Sequence, residues 1–191
     1  PKQAVHDIIL IDKALHEKAV QFDIYVTPHA IGGRDTFRLK IYAPSAPLLL
    51  SLMLPKIENM GFKAFDVINY EIKPNHGEHD KVYISHFRLL PSSNIELDKE
   101  DLSQHIEAAF YQIWANRIED DQFNSLIMYC GFDWRQSLLL RIYFRYLRQV
   151  HMPHDLIYVV NVLIKYEQIT KQLVELFDMR FNPKRERSES E

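Results

Sequence analysis

Hydrophobic periodicity changes once along this chain, near residue 96, and the change divides it. Before that point apolar residues alternate with polar ones. In "FDIYVTP" (22–28) Phe22, Ile24 and Val26 alternate with Asp23 and Tyr25. In "TFRLKIYAP" (36–44) Phe37, Leu39 and Ile41 alternate with Arg38 and Lys40. Alternation of period two is the mark of a strand with one face buried. The segment "HAIGGRD" (29–35), with Gly32-Gly33, supplies a turn, so 22–43 reads as a hairpin. A second hairpin follows from "KAFDVINYEIKP" (63–74) and "KVYISHFRLL" (81–90) around the polar turn "NHGEHD" (75–80). After residue 96 the spacing is helical almost to the end.

Helix signals fall between and around the hairpins. "HDIILIDKALHEKA" (6–19) places Ile8, Ile11, Leu15 and Ala19 on one face. "LLLSLMLPKIENMGF" (48–62) has Ser51 as an expected N-cap and Gly61 where a helix C′ residue belongs. Pro55 restricts this helix and suits only its first turn. The element order from residue 22 is therefore ββαββα. A ferredoxin-like sandwich runs βαββαβ, and moving its last strand to the front gives this order without changing the packing. The expected fold is α+β: a permuted ferredoxin-like sheet over 1–96, one face covered by helices 51–60 and 98–118, then an all-α segment over 97–183. The charged "PKRERSESE" at 183–191 reads as a solvated tail or linker beginning at 184.

In the helical half, Asp98 is an expected N-cap, with Leu97 and Leu102 as a hydrophobic staple. "DDQFNSLIMYCG" (120–131) is a short helix stopped by Gly131. Asp133 with Gln136 opens the next helix as a capping box. That helix contains "LLLRIYFRYLRQ" (138–149), where arginines and aromatics intermingle. On a helical projection Arg141, Arg145 and Arg148 share one narrow stripe, and apolar residues fill nearly all the rest. A helix presenting its basic face to nucleic acid would display aromatics for stacking. Here the pattern predicts a helix buried on most sides, its arginines pairing with the carboxylates of "Glu119-Asp-Asp121". "LIYVVNVLIKYEQITKQLVELFDMRF" (156–181) reads as one or two helices.

Composition excludes several classes of function. The net charge of −3 speaks against a dedicated nucleic-acid binder. No apolar run reaches the roughly 20 residues of a membrane span. "PKQAVHD" has neither the basic nor the apolar region of a signal peptide and lacks an initiator Met, the expectation for a processed or excised chain. One cysteine, Cys130, forbids an internal disulfide and fits a reducing cytoplasm. It reads as a small residue at a packed helix end, since no neighbouring base activates it. Five glycines, two of them adjacent, make no phosphate-cradling loop. Of the nine histidines, His76 and His79 with Glu78 and Asp80 form a cluster of possible metal ligands that reads more simply as a hairpin turn. His151 and His154 are separated by a helix-breaking Pro153, and His86 reads as a sheet-surface residue. Tyr83 and Phe87 share a strand face, as in RNA-binding sheets, but that face is expected to be core.

The run "DQFNSLIMYCGFDWRQSLLLRIYFRYLRQ" (121–149) resembles a segment of the large bacterial NAD-specific glutamate dehydrogenases. The likeness rests on Asp121, Phe123, Asn124, Leu126, Gly131, Trp134, Arg135, Arg141, Tyr143, Arg145, Tyr146, Leu147, Arg148 and Gln149. "LSLMLPKIENMGF" is similar to a second family segment at Leu50, Ser51, Leu54, Pro55, Glu58, Asn59 and Gly61, with Ile57 for the usual Leu. "NYEIKP" and "ELFDMRFNP" fit in order, so the likeness covers about residues 37–183.

The resemblance implies an ACT-like regulatory domain and the helical connector behind it, preceding a catalytic domain. The parent reaction would be NAD-dependent deamination of L-glutamate to 2-oxoglutarate and ammonia. No catalytic, NAD-binding or metal residue is assigned here. Trp134, Arg135, Arg141, Arg145, Arg148, Asp121 and Asn124 are expected to make structural or partner contacts. The implied partners are the catalytic and neighbouring regulatory domains of one polypeptide, further copies in a homo-oligomer, and an amino-acid effector, for which the ACT likeness points to the loop 43–47. No nucleic acid and no membrane partner is expected. A free-standing amino-acid sensor is the alternative reading.

Overall fold

The computed structural model describes residues 2–31, 34–74, 81–92 and 99–183. The elements are α1 (Lys2–Glu17), β1 (Gln21–Ile31), β2 (Arg34–Pro44), α2 (Leu50–Asn59), β3 (Phe62–Ile72), β4 (Val82–Pro91), α3 (Lys99–Trp114), a 3-10 turn (Gln122–Asn124), α4 (Ser125–Cys130), α5 (Trp134–Gln149), α6 (Leu156–Lys165) and α7 (Glu167–Phe181). The turn at Gly32-Gly33, the His76–His79 cluster, the cap and staple at Asp98 and Leu97, and the tail 184–191 lie outside the described residues.

The sheet order is β1-β2-β4-β3, and each neighbouring pair is antiparallel. β2 and β3 therefore run parallel with β4 between them, joined through α2 in a split βαβ unit. This is the ferredoxin-like order after moving its last strand to the front. The sheet is thus the ACT-like α+β fold expected, and a helical segment follows it.

The alternating residues decide which face is core. Phe22, Ile24, Phe37, Leu39, Ile41, Phe87 and Leu89 lie under α2 and α3, with Met53, Ile57, Ile106 and Phe110 above them. The face bearing Phe87 is therefore core. Phe22 stacks on Phe110 at 5.7 Å and meets the Tyr111 ring edge-on at 5.0 Å, which pins α3 to the edge strand β1.

Sequence periodicity missed the cover on the second face. α1 lies there, packing Leu10 and Ala14 on Tyr42, Val82 and Ile84. Beneath it Lys40 is buried, and Asp7 compensates it by accepting from Nζ at 2.7 and 2.8 Å. Tyr42 donates to the same carboxylate at 2.6 Å. His86 sits on this covered face rather than on an open surface, with Nε2 buried and unpartnered.

Several boundaries differ from expectation for local reasons. Ser51 is not the N-cap of α2: Leu49 occupies that position with no side-chain bond, and Ser51 lies inside the first turn. Pro55 is in the helix interior, so the missing N–H gives up one intrahelical bond. α3 stops at Trp114, before the expected 118, as Asn116 turns into the left-handed region at φ 53. Ile118 nevertheless reaches the core. The 156–181 run is two helices, broken at Tyr166. Among the described residues no helix is long and apolar enough to cross a membrane.

Candidate interdomain joint

The segment between α3 and α4 carries three carboxylates in a row, the outer two held by α5 and the middle one by α2. Asp121 is extended and caps the 3-10 turn through the N–H of Phe123 at 3.0 Å. Its two oxygens also accept from Arg141 of α5: Nε at 2.9 and 3.1 Å, Nη2 at 2.8 Å. This is the forked geometry that a guanidinium matches and an ammonium does not. Nη2 donates further to Asn124 Oδ1 at 2.8 Å, and Asn124 Nδ2 donates to the Glu119 carbonyl at 3.1 Å. Arg141 is 1% exposed, the largest fully buried side chain among the described residues, and its guanidinium lies 5.7 Å from the Phe123 ring centroid.

Glu119 meets Arg145 at 3.0 Å on the open side of the same stripe. Arg148 meets no carboxylate among the described residues; it donates to the backbone carbonyls of Met152 and His154 just past the helix. One stripe thus serves three purposes: a buried fork, a surface pair and a loop clasp.

Asp120 turns the other way, toward the sheet domain. Lys56 Nζ reaches its Oδ2 at 3.0 Å, and Asn59 Nδ2 donates to its Oδ1 at 3.0 Å and to its carbonyl at 3.2 Å. Tyr129 of α4 donates to the Gly61 carbonyl at 3.0 Å. The C-terminal end of α2 is therefore where the helical segment docks. Gly61 ends that helix at φ 93, and a Cβ there would come within 3.0 Å of the Tyr129 ring. Glycine is required for both reasons.

The structure brings Asp121, Asn124 and Arg141 together and places Arg145 at their rim. Trp134 packs on the sheet domain's core, and Arg135 stacks on its ring, 4.2 Å from the centroid. The Asp133–Gln136 capping box that launches α5 is formed. Helical projection missed Lys56, Asn59 and Tyr129. Charge counting gave no signal for them, since three arginines matched three acids; Asp120 is left for α2 because Arg148 turns instead to backbone carbonyls.

The expectation that α5 is buried on most sides is wrong. Only Ser137, Leu140 and Arg141 are buried along it, while Tyr146 is 61% and Ile142 55% exposed. The projection gave the apolar arc correctly, but the arc faces outward because the described residues provide too few helices to cover it.

Other candidates are less organised. Cys130 is buried, and burial pushes its thiol up to about 12, so it packs rather than reacts. His154 stacks on Tyr158 at 4.3 Å, and His151 sits in the left-handed region at φ 66. Among the described residues no three His, Cys, Asp or Glu side chains are placed to hold a metal.

Two family models match this chain in sequence order: the glutamate dehydrogenase ACT3 domain over residues 19–102 and the glutamate dehydrogenase helical motif 3 over residues 118–183. The chain is 33% identical over 145 residues to an NAD-specific glutamate dehydrogenase of Halomonas elongata, covering 76% of this chain and 9% of that protein. It is 32% identical over 149 residues to the enzyme of that name from Pseudomonas aeruginosa, covering 78% and 9%. Against that of Mycobacterium tuberculosis it is 32% identical over 139 residues, covering 70% and 8%. The chain thus spans about a tenth of the length of these relatives.

Proposed function

Since the chain belongs to the large NAD-specific glutamate dehydrogenase family, we propose that it is a non-catalytic segment of such an enzyme. Its work is to hold a regulatory sheet domain and a helical connector in one fixed relation. The observation that carries this reading is the joint. Asp120 binds Lys56 and Asn59 across the two parts, while its neighbour Asp121 is fixed by Arg141 within the helical segment, and these groups pair with one another rather than converging on a cleft. Buried charge pairs of this kind fix geometry more than they add stability. The parent reaction would be NAD-dependent deamination of L-glutamate, with NAD bound elsewhere in the polypeptide.

The partners that follow are the other domains of the same polypeptide and further copies of it. An amino-acid effector at the loop 43–47 belongs to the same reading, where Ser45 is held left-handed at φ 72 and bonded to the Lys81 carbonyl at 3.0 Å.

The test is direct. The isolated 191-residue chain should show no saturable NAD binding by calorimetry and no glutamate-dependent NADH formation. Turnover comparable to an intact enzyme would overturn the proposal. Calorimetry against a panel of amino acids checks the effector: heat that saturates supports it, and none across the panel removes it.

A further inference from the structure

α1 is fastened to the second face of the sheet more by polar ties than by apolar burial. Among its described side chains only Leu10 and Ala14 are buried, whereas Val5, Ile8 and Ile9 are each more than half exposed. Asp7 holds Lys40 and Tyr42, Gln3 donates to Asp23 at 3.1 Å, and His6 stands 3.4 Å from the same carboxylate. Residues 18–20 join α1 to β1, and Lys18 lies in the left-handed region at φ 50. A side chain carries a conformational cost there, which marks the joint as a hinge.

His86 lies beside this clamp. It pairs in register with Lys40 of β2 on one side and Ile68 of β3 on the other. Lys40 is a buried cation whose charge Asp7 already balances. Nε2 of His86 is buried and meets no partner. Protonation would make both ring nitrogens donors. It would set a second cation opposite Lys40 and leave an N–H without an acceptor, both unfavourable while α1 is closed.

We propose that α1 is a proton-operated cover: it swings from the sheet about Lys18 when His86 is protonated, and the four strands stay folded. The charges on each neighbouring element support this. β2 supplies Lys40 and Arg38, and β4 supplies Arg88, against Asp7 of α1. Asp7 is already engaged by Lys40 and Tyr42, and Asp66 of β3 by Arg88. Asp23 of β1 is engaged by Gln3 and His6. None of these carboxylates is left to receive the imidazolium. Burial and the surrounding cations therefore hold the His86 pKa down in the closed form. Lifting α1 hydrates Lys40 and His86 together, so the open form binds the proton more readily. By linkage, acid favours the open form as pH falls below the ordinary histidine value of about 6.5. His6 works against release, since its charged form tightens on Asp23, but it is half exposed and such pairs are weak.

Amide exchange by mass spectrometry on the whole chain, corrected for intrinsic rates, tests this at about pH 7.5 and about pH 5.5. Protection of α1 should fall at least about fivefold on acidification, with β2 and β4 unchanged. His86→Gln and His86→Leu, one polar and one apolar but neither titrating, should each abolish that fall. Equal protection of α1 at the two pH values would overturn the proposal, as would an acid loss that persists in both His86 variants. A loss shared equally by β2 and β4 would also overturn it, since it reports global unfolding.

Discussion

Arg141 and Asp121, twenty residues apart, are joined by a two-pronged ion pair in a site where the arginine is almost wholly out of water. The pair closes the helical segment onto its own entry loop. Its worth is seen by contrast with the two arginines on the same stripe. Asp121→Asn leaves a buried cation uncompensated and should cost about 3 kcal/mol or more in urea unfolding. Arg145→Ala breaks an exposed pair and should change stability by less than about 0.5 kcal/mol. Arg148→Ala loses two long bonds to carbonyls and should cost less than about 1 kcal/mol. Equal costs at the three positions would refute the division of labour.

Asp120 predicts a different signature. Its bonds to Lys56 and Asn59 cross from the connector to the sheet domain. Asp120→Ala should cost about 1–2 kcal/mol, as expected for a few partly buried hydrogen bonds. The change should be localised: amide exchange monitored by mass spectrometry should accelerate over residues 119–130 and leave β2 and β4 protected. Uniform acceleration across the chain would show that the joint is not a separate cooperative contact.

Much of this was legible beforehand, and the parts that were not share a cause. The ββαββα order follows from period-two alternation and two turns, and it maps onto the observed strand order because one face of the sheet is strongly apolar. The fork at Asp121 follows from a cationic stripe beside three acids. α1 on the second face was not assigned a place, and its apolar face was read through Ile8 and Ala19, whereas Leu10 and Ala14 are the residues it buries and Asp7 adds polar contacts to Lys40 and Tyr42 that carry no periodic signal. Exposure of α5 was misread for the converse reason: periodicity marks an apolar arc but does not say whether its cover lies within the same stretch of chain. Asn59 and Lys56 lie about 60 residues from Asp120, a pairing no local rule reaches.

Gly61 offers a sharp local test. Its positive φ disfavours any Cβ, and the Tyr129 ring closes the space beside it. Gly61→Ala should cost more than the roughly 1 kcal/mol of a left-handed alanine, because the ring must also shift. Tyr129→Phe keeps the ring but loses the bond to the Gly61 carbonyl, and should cost about 1 kcal/mol. If Gly61→Ala melts within a degree of the parent chain, the joint is looser at α2 than the geometry implies.

Cys130 should be chemically quiet. With its thiol pushed up to about 12 by burial, almost none is thiolate near pH 8. Iodoacetamide should label it slowly in the native chain and rapidly in guanidinium, where burial is gone. Native labelling should accelerate as pH rises toward that value. Labelling at the denatured rate under native conditions would mean that α4 opens readily, contradicting its place between the sheet core and α6.

His86 gives a pH dependence whose sign follows from its surroundings. Burial lowers its pKa, and Lys40 and Arg38 of β2, with Arg88 on its own strand, lower it further; Asp7 of α1 opposes them. A histidine with a depressed folded pKa binds its proton more readily when unfolded. Stability is therefore unaffected above the ordinary value near 6.5 and falls as pH drops below it, until the folded pKa is passed. His86→Leu removes both the titration and the unpartnered Nε2. It should flatten the loss of urea midpoint between neutral and mildly acid pH, and it should not weaken the chain at pH 7.5. An unchanged acid slope in His86→Leu would place the sensitivity on other groups, with the Asp7 contacts to Lys40 and Tyr42 the next to examine.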